Sequence, residues 1–388
     1  MRLSDRADVC VVGGGLLGTA AAYYAARDGL RVVLVEEHEL ATGSSGAAFG
    51  GVSTMIFSHA DIVVPEPYVR ISQAAMDLYA ELAEEYDPPL DYDVIGQIDL
   101  WFDPAERPHV HERVEGLRAL GVDVQLLDGD DLREVEPALS KEVYAGTWAP
   151  QDGMVTPPMA VWAQAEAARR HGADIRVGVR ADRILTDGGR ATGVLTSQGE
   201  ISAGAVVVCG GAGTRALADT VGLNVPLTCA RGQLFVSERI PPLLRTSLHN
   251  IKQTRSGTMV YGITRESFTR VLNATTETTA AGAVELTSHA LRTLPALRNV
   301  QLMRCWAGVI VTPADGYPIL GPAPGIDGLF VGVMNRGVAM GPAIGRILAD
   351  LVQTGGCAFD ISAYAPSRFA GGATVKKEMP DAYYVPAG

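Results

Sequence analysis

Apolar positions along the chain follow two rhythms. Short, mainly apolar runs, rich in valine, occupy residues 8–12, 30–35, 203–209 and 328–334. Runs of this length with no polar alternation predict strands covered on both faces. Between them, apolar residues recur at helical spacing over residues 19–27, 67–86, 107–120, 158–171, 280–294 and 339–354. In the second of these, Pro67 stands in the first turn, and Met76, Tyr79 and Leu82 follow three residues apart. Weaker strand patterns cover 92–102, 175–179, 182–185, 193–196, 231–237, 258–263 and 301–311. Residues 132–135, among prolines, read as a connector. No internal repeat is visible, and the tail beyond Phe369 has no period.

Glycines punctuate the first pair of strands. Gly13, Gly15 and Gly18 fit G-x-G-x-x-G between strand and helix, and Glu36 closes the second strand. That context allows a tight turn, a close pyrophosphate, a closely packed helix and an acid for ribose hydroxyls. The small-residue loop 41–51 follows. A second glycine turn, 210–213, ends the run 203–209, and Asn335-Arg336-Gly337 precedes the last helix. Nucleotide-type segments therefore alternate with strand-rich ones. The expected fold is α/β, a Rossmann-like domain interleaved with a second α+β domain built on a largely antiparallel sheet.

Composition narrows the function. With 388 residues and a formal net charge of −12, the chain is large enough for two domains and is poorly suited to nucleic acid or an anionic membrane surface. Five cysteines without a CxxC pair suit a reducing cytoplasm. Residues 9–26 are uncharged, but glycines 13–15 break that run as a membrane span, and the N-terminus lacks a signal-peptide layout. No metal site is expected: His109 and His111 lie in a charged helix without further ligands nearby.

The ordered set of motifs resembles the flavoprotein family of D-amino-acid, glycine and sarcosine oxidases. It comprises Gly13–Gly18 with Glu36, Gly43-Ser44-Ser45-Gly46, Asp152-Gly153 with Pro157, Val206–Gly213, Arg231-Gly232-Gln233, Arg304–Gly308, Asp315–Gly321 and Gly337–Pro342. It looks most similar to the flavin subunits of multi-subunit sarcosine, opine and D-hydroxyproline oxidising enzymes. The resemblance implies noncovalent FAD. It assigns Gly13, Gly15, Leu17, Gly18, Glu36, Ser44, Ser45, Gly51, Gly210, Gly211, Gly308, Arg336, Gly337, Val338 and Met340 to the cofactor, with Ala181 near the adenine. The helix N-terminus after Arg336 would face the flavin pyrimidine, where negative charge gathers on reduction. Residues 1–89, 151–225 and 310–370 would form the FAD domain, 90–150 and 226–309 the substrate domain, and 371–388 a tail.

The family's chemistry is hydride transfer from the carbon beside an amine to flavin N5, which leaves an imine. The expected substrate is a small amine or amino acid: a D-amino acid, N-alkyl amino acid, imino acid or opine. The acceptor is O2 or another oxidant, and a homo-oligomer or a partner subunit is expected. Tyr261 and Trp306 are candidate pocket walls. The usual carboxylate-binding arginine is replaced by Ile310, so Arg336, Arg255 or His59 would take its role. Residues 259–263 lack the lysine that some relatives use with oxygen, which favours another acceptor. Cys305 lies two positions from where some relatives attach flavin. Two alternatives fit the same motifs: oxidation of an alcohol or 2-hydroxy acid, and a flavin-binding subunit with little activity alone.

Overall fold

A computed structural model describes residues 6–54, 65–86, 90–262 and 276–370. The valine-rich runs build the central sheet. Strands β1 (Arg6–Val12), β2 (Val32–Glu36), β8 (Asp174–Val177), β11 (Gly199–Val208) and β18 (Leu329–Val333) lie parallel in the order β18-β11-β1-β2-β8. Strand β17 (Ile319–Pro322) adds an antiparallel edge, and the hairpin β9 (Ala181–Asp187) and β10 (Arg190–Thr196) extends from β11.

Two antiparallel-rich sheets form the other half. One orders β14 (Ile251–Gln253), β15 (Thr258–Gly262), β12 (Leu227–Arg239) and β16 (Leu302–Pro313). The other orders β13 (Ser247–Leu248), β4 (Gln97–Trp101), β6 (Ala145–Ala149) and β5 (Gln125–Asp128). Short strands β3 (Gly51–Val52) and β7 (Gly153–Met154) pair with each other beside them.

Helix α1 (Leu16–Arg27) is buried almost all round, because alanines let three neighbours approach. These are the central sheet, α6 (Pro157–Arg170) and α9 (Gly337–Thr354). A β-carbon on Gly345 would stand 2.3 Å from Ala20 Cβ, so α9 can cross α1 only with glycine there. Thr19 Oγ1 bonds Gln164 Oε1 of α6 at 2.8 Å. Helix α3 (Glu66–Glu85) packs Tyr79 into the same core, and its hydroxyl donates to Val338 O at 2.8 Å. The remaining helices are α2 (Ser44–Ala47), α4 (Arg107–Ala119), α5 (Gly129–Val135), α7 (Thr214–Asp219) and α8 (Ala280–Thr293).

Several local expectations change. Residues 132–135 belong to helix α5, whose first turn carries Asp130 and Asp131. Residues 92–102 form strand only from Gln97; Asp93 makes an isolated bridge to Met154. Loop 41–51 contains one helical turn, α2. Residue 263 and the tail 371–388 lie outside the described residues. Among the described residues, no helix is long and apolar enough to cross a membrane.

Candidate active site

The parallel strands end at one edge of the central sheet, where two glycine turns meet. Gly13, at φ +113°, leaves β1, and a β-carbon there would stand 2.5 Å from Cys209 O and 3.1 Å from Gly210 Cα. One on Gly18 would stand 1.9 Å from Gly13 O. The turn is therefore glycine by necessity, and it brings Gly210 and Gly211 beside Gly13. Glu36 folds over it: Oε2 accepts from Gly14 N at 2.7 Å and Oε1 from His38 N at 2.9 Å. Helix α1 starts at Gly15 with no acid in its first turn and no cap from its own N-cap residue. Ser45 Oγ accepts from Leu16 N at 3.1 Å. A helix N-terminus without an acid, beside bare glycine backbone and the Ser45 hydroxyl, fits a pyrophosphate.

Helix α9 brings a second N-terminus to the same place. A β-carbon on Gly337 would meet Leu17 Cδ1 at 2.9 Å. Arg336, the N-cap, is left-handed at φ 65°, and no acid stands in the first turn. Met340 is fully buried in the core and Val338 nearly so; Val338 O is used by Tyr79. Ala181 begins β9, near the Val179 amide that bonds Glu36 O at 2.8 Å.

Loop 43–54 runs between these helix ends and the sheet of β12 and β16. Ser44 Oγ donates to Val309 O, and Trp306 Nε1 donates to Ala47 O at 3.1 Å. A β-carbon on Gly308 would stand 2.4 Å from Ala47 Cβ, so this glycine admits the loop. Gly51 pairs with Met154 in β3 and β7. Beyond it, Asp152 clamps the loop through Ser53 Oγ, Thr54 N at 3.2 Å and Thr54 Oγ1 at 3.1 Å. Burial raises the Asp152 carboxyl to about 6 despite these donors and the nearby Arg336 charge.

Strand register separates the proposed pocket walls. Leu234 faces both Trp306 and Gly262, whereas Phe235 faces Cys305 and Tyr261. Trp306 thus shares the loop side with Gly308, while Tyr261 packs on the opposite side among Ile98, Phe235 and Leu248. Tyr261 and Trp306 therefore lie on opposite faces of this sheet. Arg255 is also displaced from its expected role: exposed, it donates to Asp93 through Nε at 2.8 Å and pairs with Asp91 at 3.5 Å. His59 lies outside the described residues.

The sequence reading missed Lys252. Residues 258–262 lack lysine, but β14 beside them carries Lys252 in register with Val260. Its Nζ donates to Val155 O at 3.2 Å and lies 5.3 Å from the Phe49 ring centroid. Burial lowers it to about 8. Only the pairing of β14 with β15 reveals it. Among the described residues, no three acidic, histidine or cysteine side chains form a metal cluster.

Comparison with known proteins agrees with this geometry. The sequence model of the DAO family, described as FAD dependent oxidoreductase, matches residues 8–351. The chain belongs to this family. It is 29% identical to glycine oxidase of Geobacillus kaustophilus over 95% of this chain and 99% of that protein. It is 27% identical to sarcosine oxidase subunit beta of Rhizobium meliloti, over 94% and 89% respectively. The structure of L-proline dehydrogenase from P. horikoshii shares the fold with a TM-score of 0.87, at 23% identity, covering 95% of this chain and 98% of that one. This DAO-family chain is therefore an FAD-dependent oxidoreductase. Its two helix N-termini and loop 43–54 supply donors, and Glu36 an acceptor, suited to an extended dinucleotide.

Proposed function

We propose that the chain oxidises the carbon–nitrogen bond of a small amino acid or N-alkyl amino acid. One observation carries the reading: the α1 and α9 N-termini converge through Leu17 and Gly337, directly beside the loop that Trp306 holds. FAD supplies the two-electron acceptor when bound; water then hydrolyses the imine. The protein's part is to hold and orient. Gly13–Gly18 and Gly210 admit the phosphates, Glu36 faces the ribose, and α9 with Arg336 offers positive charge to the pyrimidine edge. Trp306 and Ile310 give the sheet's loop side an apolar wall that excludes water beside the transferred hydride. Cys305 faces away from the loop, which supports noncovalent FAD.

A partner subunit is supported by the name of the sarcosine oxidase relative and by exposed Leu302 and Met303 on edge strand β16. The test is reduction of an artificial electron-acceptor dye by the FAD-loaded protein. Glycine, N-methylglycine, proline, D-amino acids and iminodiacids are compared with 2-hydroxy acids. Dye reduction with matching formation of a 2-oxo acid or an aldehyde from an amino acid is expected. Reduction by 2-hydroxy acids alone contradicts the reading. Peroxide formed in air identifies oxygen as acceptor.

A further inference from the structure

Helix α4 carries Val110, Arg113, Val114 and Leu117 on one face, and the three apolar residues of this set pack with Trp101, Ala145 and Ala149. Arg113 occupies a core position of that stripe and is only 7% exposed. Burial and the Arg336 charge oppose its ionised form, while the Asp99 charge favours it. An arginine cannot shed its charge, so its burial is unfavourable unless an anion meets it.

Trp101 shows which face of β4 the helix covers. Asp99 and Gln97 share that face, because strand side chains alternate. Asp99 is 7% exposed, and its charge acts on Arg113. Gln97 is 1% exposed, and its Oε1 has no partner. A β-carbon on Gly51 would stand 3.4 Å from that oxygen. A row of buried polar groups thus runs from the loop at Gly51 to Arg113, and within it Gln97 Oε1 is unsatisfied. Arg113 also feels the charges of Asp99 and Arg336, which brings it into the electrostatic field of the α9 N-terminus.

We propose that Arg113 receives the substrate's carboxylate, with Gln97 Oε1 accepting a hydrogen bond from the substrate along the same face of β4. The proposal rests on the amino-acid reading above. It explains how an acid group is held although Ile310 replaces arginine on the sheet and Arg255 is committed to Asp93. Asp99 balances the arginine charge in the free protein, and the substrate carboxylate approaches from the Gly51 side.

The test uses FAD-loaded protein and two carboxylates without an oxidisable amine, acetate and pyrrole-2-carboxylate, followed by shifts in the flavin visible spectrum. Saturable binding to the wild type is expected. Arg113→Met should weaken it about 10- to 100-fold at unchanged FAD content, the scale of a lost charge-assisted hydrogen bond. Arg113→Lys should weaken it only several-fold. If Arg113→Met loses FAD, Arg113→Lys decides, and an unchanged dissociation constant overturns the proposal. So does equal binding by Arg113→Met, or a wild type that binds neither acid. If amino acids reduce the dye but Arg113→Met keeps the wild-type KM, only this proposal fails. If no amino acid reduces the dye, the amino-acid reading itself fails.

Discussion

The Gly14 amide donates to the Glu36 carboxylate over 2.7 Å, linking the glycine turn to the end of the next strand. The same carboxylate accepts from His38 N at 2.9 Å, so the acid is held at the turn. Glu36→Ala removes that preorganised acceptor. FAD affinity should fall about 10-fold, as expected for charge-assisted hydrogen bonds. Equilibrium dialysis or recovery of free FAD fluorescence measures this.

Gly345→Ala tests the crossing of α1 and α9. The added methyl would lie 2.3 Å from Ala20 Cβ and 2.6 Å from Ala21 N, where backbone must yield. Overpacking of this kind costs about 1–3 kcal/mol. Because the crossing also sets the distance between Leu17 and Gly337, FAD retention should fall with the denaturation midpoint. A urea titration with and without FAD measures both.

Asp152 gives a pH dependence opposite to that of a typical surface acid. Its folded value, about 6, lies above the unfolded carboxylate value, so the folded state binds the extra proton between them. Its contribution is fully present below about pH 4 and is lost as pH rises through 6. Asp152→Asn cannot titrate. Comparing urea midpoints at pH 4.5 and 7.5, the balance should move toward the asparagine variant by about 2 kcal/mol at the higher pH. A pH-independent difference contradicts the burial account.

Lys252 predicts a second window. Its folded value near 8 lies below the unfolded amine, so the unfolded chain binds more protons between about pH 8 and 10.5. Stability relative to Lys252→Met should rise across that window and be flat between pH 6 and 7. Paired denaturation curves at pH 6.5, 8 and 9.5 check the sign.

The nucleotide end was legible in the sequence because its signals are local. Gly13, Gly15, Gly18 and Glu36 belong to one strand–turn–helix–strand unit whose spacing carries the geometry. Gly210 and Gly337 were readable for the same reason, each adjoining a strand or helix terminus. The substrate side depends on register between distant strands. Tyr261 and Trp306 fall on opposite faces through a one-residue difference that only the pairing of β12 with β15 and β16 fixes. Lys252 and Arg113 take their environments from tertiary contacts, so in sequence they look like ordinary surface charges, and Asp152 stands in a motif whose clamp on Ser53 and Thr54 only the fold shows. Helix α5 was missed because it is short and its acidic start resembles a turn.

The most direct measurement is anaerobic titration of the FAD-loaded protein with the amino acid that best reduces the dye, followed at the flavin visible band. The expected result is full loss of the band at one equivalent per FAD, its return with an electron acceptor, and one carbonyl product of imine hydrolysis, a 2-oxo acid or an aldehyde, formed per cycle. A protein that cannot be loaded with FAD, or whose band no amino acid bleaches, contradicts it.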